Sequence, residues 1–232
     1  MIIVLNNKCH FSKKEYIQYL KNLKKVKIKD EQIILCPPMA YLAITSSQKF
    51  KIGSQNVSKN SYGPYTGEVS AEQLKSLGIT YCLVGHKERK NLHESINDIK
   101  DKIKLLLKQG ITPIVCIGET FEESETGLME KRLTTELRKI VKDLSQKDKE
   151  KLMIAYEPMW TIGSNKIPSK DYLEKVLKTI RKILPNNKIL YGGGITEENI
   201  IIIKKCSLDG YLIGNLSLSP EKINSFLQTI KY

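Results

Sequence analysis

The chain has 232 residues, 41% of them hydrophobic, and a formal net charge of +13 from 38 Lys and Arg against 25 Asp and Glu. That is enough apolar material for one sizeable core, and the positive excess by itself admits a nucleic-acid or anionic-surface partner. Only Arg89, Arg132, Arg138 and Arg181 are arginines, and the lysines are scattered along the chain. A solvated outer face is therefore the expected reading and a nucleic-acid groove is not, because phosphate and base-edge recognition favours the planar arginine fork.

The five cysteines, Cys9, Cys36, Cys82, Cys116 and Cys206, form no CxxC pair and no Cys/His cluster of zinc spacing. This argues against a zinc module and fits a reducing compartment. The opening stretch MIIVLNNK enters a strand directly, and no apolar run approaches the ~18–20 residues of a membrane span, so a cytoplasmic protein without membrane contact is expected.

In chain order, residues 2–8 read as a strand, and Ser12 is placed to cap a helix carrying Tyr16, Ile17, Leu20 and Leu23. A second strand over 33–36 stops at Pro37-Pro38 and leads to a helix over 39–48. A third, 51–55, is followed by a polar loop over 56–68 that is long for a compact chain and so is expected to have a task. Ser70 caps a short helix ending near Gly78. The fourth strand, 81–85, runs into a helical turn at His86–Arg89 and a helix over 95–108. The fifth, 112–116, leads through Gly118-Glu119-Thr120 to a long helix ending near Asp143.

Leu152–Tyr156 is a short apolar run ending at Glu157-Pro158, then Met159, Trp160 and a polar stretch with Gly163, Ser164 and Asn165, before Ser169 caps a helix over 170–183. A lone acid at a strand end followed by a rigid–flexible–rigid loop suits a base beneath a closing lid. The seventh strand, 188–191, ends in Gly192-Gly193-Gly194 before a helix over 196–204. The eighth, 209–213, ends in Gly214-Asn215 before a helix from Pro220. Eight strand–helix units without a linker or a break in composition predict a single-domain α/β fold, a closed (β/α)8 TIM barrel over residues 1–232. No GxGxxG follows the first strand, which weakens an open dinucleotide-binding sheet.

In such a barrel chemistry sits at the C-terminal strand ends. Those ends carry Asn6 and Lys8, Gln55, His86, Cys116, Glu157, the Gly192–Gly194 run and Gly214-Asn215. Singly, each has a plain reading: Lys8 a surface lysine, His86 a capping histidine, the glycines turns. Together they bring an acid, an imidazole, an ammonium and exposed backbone amides to one rim. Glycine-rich loops after the last two strands bind phosphate through N–H groups, so proton transfer on a small phosphorylated compound is expected.

Rare segments add to this: Asn6-x-Lys8, Pro37-Pro38-x-x-Tyr41-Leu42, Gln55-Asn56-Val57, Tyr65-Thr66-Gly67-Glu68-Val69-Ser70, Gly85-His86-x-Glu88-Arg89, Cys116-Ile117-Gly118-Glu119, Ala155-Tyr156-Glu157-Pro158-x-Trp160-x-Ile162-Gly163, Leu190-Tyr191-Gly192-Gly193 and Asp209-Gly210-x-Leu212-x-Gly214. With these, the chain resembles the triosephosphate isomerase family along essentially its whole length. The resemblance implies an intramolecular aldose–ketose isomerase of glycolysis and gluconeogenesis. In it Glu157 is the general base, a neutral His86 moves protons between the oxygens, Lys8 supplies positive charge, and Asn6 positions Lys8. It also implies that backbone amides around Gly163, Gly194, Gly214 and Asn215 hold the phosphate of a triose phosphate, under a lid over 158–168. No metal or organic cofactor is implied, and a homodimer through loop 56–70 is. The alternatives are another phosphate-binding barrel enzyme, such as an aldolase, or a catalytically weak relative acting as a basic anion- or polyanion-binding protein.

Four positions depart from the family pattern. Asn7 stands where an aromatic residue is usual, and looser packing is expected there. Gly194 replaces a serine, and Asn215 a glycine. Lys87 stands where a serine is usual, close to Glu157. Either its ammonium points to solvent, or it sits close enough to Glu157 to weaken the base and shift the acid limb of the pH–rate profile.

Overall fold

In the computed structural model, which describes residues 1–45, 49–164 and 166–230, the eight strands close into one parallel barrel in sequence order. The first half runs β1 (Ile2–Asn6), α1 (Lys13–Leu23), β2 (Gln32–Cys36), a 3-10 turn (Met39–Ile44), β3 (Lys51–Ser54), α2 (Ala71–Ser76), β4 (Tyr81–Val84), α3 (Lys87–Lys90) and α4 (Ile96–Lys108). Next come β5 (Thr112–Ile117), α5 (Phe121–Glu125), α6 (Met129–Val141), α7 (Gln146–Glu150), β6 (Met153–Tyr156) and α8 (Lys170–Arg181). The chain finishes with β7 (Lys188–Tyr191), α9 (Ile200–Ile203), β8 (Gly210–Ile213), a second 3-10 turn (Asn215–Leu218) and α10 (Pro220–Thr229). Closure is at β1, where Leu5 lies opposite Leu35 on one side and Ile213 on the other.

Strand alternation splits the apolar residues between two cores. Val4, Ile34, Leu83, Ile114, Met153, Ala155, Leu190 and Leu212 pack together inside the barrel, while Ile3, Leu5, Leu35, Val84, Val115, Ile154 and Tyr156 pack among the helices. Continued past the strand ends, the same period of two sets Asn6 after Val4, Glu157 after Ala155, Gly192 after Leu190 and Gly214 after Leu212. The fold therefore aims these positions over the barrel mouth.

The serine caps are as expected. Ser12 and Ser70 form reciprocal boxes with Glu15 and Gln73, and Ser169 accepts the N–H of Tyr172. Each such cap is worth about 1 kcal/mol.

Several elements differ from expectation. The long helix after Thr120 is two helices, α5 and α6, separated at Gly127, whose φ of 72° lies in the left-handed region. The helix expected over 196–204 is helical only over Ile200–Ile203, and the one over 39–48 is a 3-10 turn, with residues 46–48 outside those described. In α1, Tyr16, Tyr19 and Leu23 are buried and Ile17 is exposed, because the inward stripe runs through 16, 19 and 23. The first strand stops at Asn6, and Lys8 leaves it with φ 51°.

Candidate active site

All eight residues singled out in the sequence, Asn6, Lys8, His86, Glu157, Gly163, Gly194, Gly214 and Asn215, line one cavity of about 470 Å³ at the C-terminal barrel mouth. That volume is within the ~300–1,000 Å³ usual for small-molecule sites. Gln55 and Cys116, also at strand ends, are not among the residues that line it. The Gln55 amide donates to the carbonyls of Lys8 at 2.9 Å and Cys36 at 3.1 Å, bracing the turn that carries Lys8.

Glu157 and His86 are both buried, with Glu157 Oε1 3.4 Å from His86 Nε2. Glycines make the room: a Cβ on Gly192 would come 2.8 Å from Glu157 Cγ. Glu157 Oε2 has no hydrogen-bond partner in the protein, so the carboxylate keeps an unmet acceptor in a buried place. His86 caps α3, its Nδ1 accepting the N–H of Glu88 at 3.2 Å. An Nδ1 that accepts carries no proton, which puts the proton of the neutral ring on Nε2, toward the cavity. Burial works against the imidazolium and the Glu157 carboxylate works for it, and the balance holds the His86 pKa above the ordinary histidine value. The expectation of a neutral ring drew on the helix N-terminus alone; the carboxylate beside it pulls the other way. Next to Glu157, the Cys116 thiol is pushed well up by burial and then by that carboxylate, which keeps it protonated.

On the opposite side, Lys8 Nζ pairs with Glu88 Oε1 at 2.6 Å, and Asn6 Oδ1 accepts the Lys8 N–H at 3.1 Å. Partial burial opposes ionisation of Glu88, but the Lys8 ammonium outweighs it and holds the carboxyl below its usual range. A Cβ on Gly214 would lie 3.3 Å from Lys8 Cε, so the lysine stem runs along that glycine. Asn215 is absent from the residues with positive φ and opens the 3-10 turn, so Asn in place of Gly introduces no backbone strain.

Among the described residues no group of three His, Cys, Asp or Glu is placed to hold a metal, and no helix is long and apolar enough to cross a membrane. Compared with known proteins, the whole chain, residues 1–232, matches the family model of triosephosphate isomerase. The chain belongs to the triosephosphate isomerase family. Curated relatives named triosephosphate isomerase include one from Dictyoglomus thermophilum, 34% identical over 94% of this chain and 90% of the relative. Others are from Orientia tsutsugamushi strain Boryong, 35% identical over 99% of this chain and 98% of the relative, and Lactobacillus gasseri, 33% identical over 100% and 98%.

The departures from the triosephosphate isomerase pattern have local explanations. Asn7 does not loosen its surroundings. It is fully buried, and its amide donates to Tyr19 Oη at 3.2 Å, Ser217 O at 3.1 Å and Ser217 Oγ at 3.2 Å. Ser217 Oγ in turn donates to Asn6 O at 3.0 Å, so this network bolts the turn after Gly214 to the end of β1. Replacing Asn7 with Ala should lower unfolding free energy by about 1–3 kcal/mol, measured by urea denaturation, because it removes the buried bonds from its amide, although Ser217 O keeps the donor Tyr19 Oη. At Gly194 a Cβ would meet the carbonyls of Ser164 at 2.2 Å, Lys166 at 2.7 Å and Thr161 at 2.8 Å, so the 158–168 loop as it lies here requires glycine.

Lys87 does not point its ammonium to solvent. Its Nζ donates to the main-chain oxygen of Met159 at 2.5 Å and, among the described residues, makes no ion pair with Glu157. Trp160 packs at the start of the 158–168 loop: its indole N–H donates to Glu119 Oε1 at 3.1 Å and its ring meets Phe121 edge-on. Two supporting carboxylates were not singled out from the sequence. Glu88 lay inside a quoted motif, two residues after His86, where a helix start returns its side chain toward the rim. Glu119 is fully buried, and its Oε1 also accepts from Tyr156 at 2.9 Å and Tyr172 at 3.1 Å, from residues far apart in the chain.

Proposed function

We propose that Glu157, His86 and Lys8 carry, in this chain, the interconversion of dihydroxyacetone phosphate and D-glyceraldehyde 3-phosphate through an enediolate. Family membership over the whole chain supports the reaction. The roles are inherited from the family, and one observation carries them to these residues: a buried carboxylate with an unmet oxygen, 3.4 Å from an imidazole, in a cavity whose far wall is glycine-rich.

Glu157 takes a proton from the carbon next to the carbonyl, and the electron pair moves onto the carbonyl oxygen to give the enediolate. His86, its Nε2–H facing the cavity, polarises that oxygen and moves a proton from one oxygen to the other. Glu157 then returns its proton to the neighbouring carbon. The Lys8 ammonium offsets the charge of the phosphate and the enediolate. N–H groups around Gly163, Gly194, Gly214 and Asn215 take the phosphate, and the lid over 158–168, of which Asn165 lies outside the described residues, excludes water that would let the enediolate lose phosphate. The reaction as written needs no metal and no organic cofactor.

The test is a coupled assay of the purified protein with each triose phosphate as substrate. Turnover in both directions is expected, and its absence in folded protein would overturn the reading. An aldolase-like alternative would need a Schiff-base lysine inside the barrel, whereas Lys8 sits at the rim in an ion pair. We place the enzyme in the cytoplasm, in glycolysis and gluconeogenesis, as a homodimer through loop 56–70, with no nucleic-acid or membrane partner. That loop exposes Tyr62 and Tyr65 while Ser58 N–H ties it to Val69 O at 2.8 Å. A sedimenting species of twice the chain mass is expected.

A further inference from the structure

Lys87 starts α3, yet its side chain ends on the lid. We propose that it is a positioning residue for the reaction: its ammonium pins the N-terminal hinge of the lid, so that Glu157 stays in place while the lid moves beyond Thr161. This rests on Glu157 being the base.

The Met159 peptide is held from both sides. Its N–H donates to Glu119 O at 2.9 Å, and its oxygen accepts from Lys87 Nζ at 2.5 Å. Just before it, the Glu157 N–H donates to Ile117 O at 2.8 Å, and a Cβ on Gly118 would come 1.9 Å from Glu157 O, so residues 157–159 lie against the end of β5 without slack. Pro158 between them has a fixed φ and no N–H to rearrange. Trp160 is anchored through its indole to Glu119. Thr161 is held with the hinge as well, its N–H and Oγ1 donating to Pro158 O at 2.9 and 2.8 Å, and beyond it the bonding changes character. Ser164 N–H and Oγ go to Thr161 O at 3.1 and 3.0 Å, and Lys166 N–H goes to Ser164 Oγ at 3.2 Å, so these bonds run within the lid and travel with it. The border between fixed and movable backbone falls just after Thr161.

Among the described residues, the tie from Lys87 is the one on Met159 that comes from a side chain, and it brings a charged donor to the hinge. The neighbouring cation, Lys90, is engaged by Cys116 O at 3.1 Å and Glu136 Oε1 at 2.8 Å. Without Lys87 the Met159 carbonyl loses its donor, and the peptide two residues from the base is free to turn. A misplacement of about 1 Å at a reacting group lowers a rate by as much as about 100-fold, while phosphate binding across the cavity is untouched.

Lys87→Met keeps the stem and removes the donor; Lys87→Arg keeps a donor. Trp160 is the only tryptophan in the chain, so intrinsic fluorescence anisotropy of the unliganded protein reads the hinge directly. In Lys87→Met, kcat should fall about tenfold with KM within about twofold, and the anisotropy should drop. Lys87→Arg should return both toward the parent values. A kcat within about twofold of the parent overturns the proposal, as does a fall in kcat with unchanged anisotropy, which would instead assign Lys87 an effect through its charge on Glu157. If circular dichroism shows Lys87→Met unfolded, Lys87→Gln is read by the same measurements. The anisotropy change needs no turnover, whereas the parent's turnover tests the base assignment, so the two failures are distinguishable.

Discussion

Replacing Glu157 with Gln is expected to lower kcat by about 10²–10⁴-fold, toward the upper end, with KM changed only a few-fold. The amide has the size of the carboxylate and fits in the same place, against Gly192. What it lacks is the ability to take a carbon-bound proton, and no second carboxylate lies as close to the imidazole at the cavity end. The same substitution removes the charge that lifts His86. In the parent the imidazole pKa is raised from 6.5, with burial opposing and Glu157 favouring the imidazolium. Folding therefore favours the protonated ring, a contribution fully present below the unfolded pKa and lost as pH rises through the folded one. In Glu157→Gln the histidine pKa should fall and that slope in stability, above pH 6.5, should flatten, as followed by histidine NMR and urea unfolding. A variant retaining more than about a tenth of parental kcat would remove Glu157 from the role of base.

Glu157 was legible in the sequence because its position follows from a period of two. An apolar run of four to six residues is a strand, and the residue after Ala155 and Tyr156 in the inward register must face the mouth. The same logic found Asn6, Gly192 and Gly214, and local chemistry found the caps at Ser12, Ser70 and Ser169. What the sequence did not reveal depends on partners distant along the chain. Asn7 was expected to loosen its surroundings because one apolar contact was missing; its compensation comes from Tyr19 on α1 and Ser217 beyond β8. Gly194 looked like a lost hydroxyl, yet the space is filled by lid carbonyls. The break between α5 and α6 was carried by one glycine in an otherwise helical pattern, which periodicity alone tolerates. Lys87 posed a choice between solvent and Glu157 because a four-carbon stem reaches many places, and only the packed lid shows that its ammonium meets a carbonyl.

Lys8 separates catalytic effect from stability most cleanly. Its ammonium, which lines the cavity together with that of Lys222, is expected to stabilise both the bound phosphate and the enediolate, so Lys8→Met should lower kcat/KM by about 10²–10³-fold, with losses in both constants. Stability should hardly change. The partner Glu88 is half-exposed, and an ion pair of that kind is worth about 0–1 kcal/mol. Meanwhile the backbone at residue 8 remains at φ 51°, a region that disfavours any side chain. Lys8→Gly tests that second quantity. Glycine adopts positive φ freely, so the strain stored at this position, of order 1–3 kcal/mol, is released, partly offset by the greater freedom of the unfolded chain. Activity should fall as far as in Lys8→Met while the urea midpoint holds or rises. Opposite signs for activity and stability would mark the left-handed turn as strain held in place by the Gln55 brace to aim the ammonium. Equal losses of both would mean that Lys8 serves the fold before it serves the substrate.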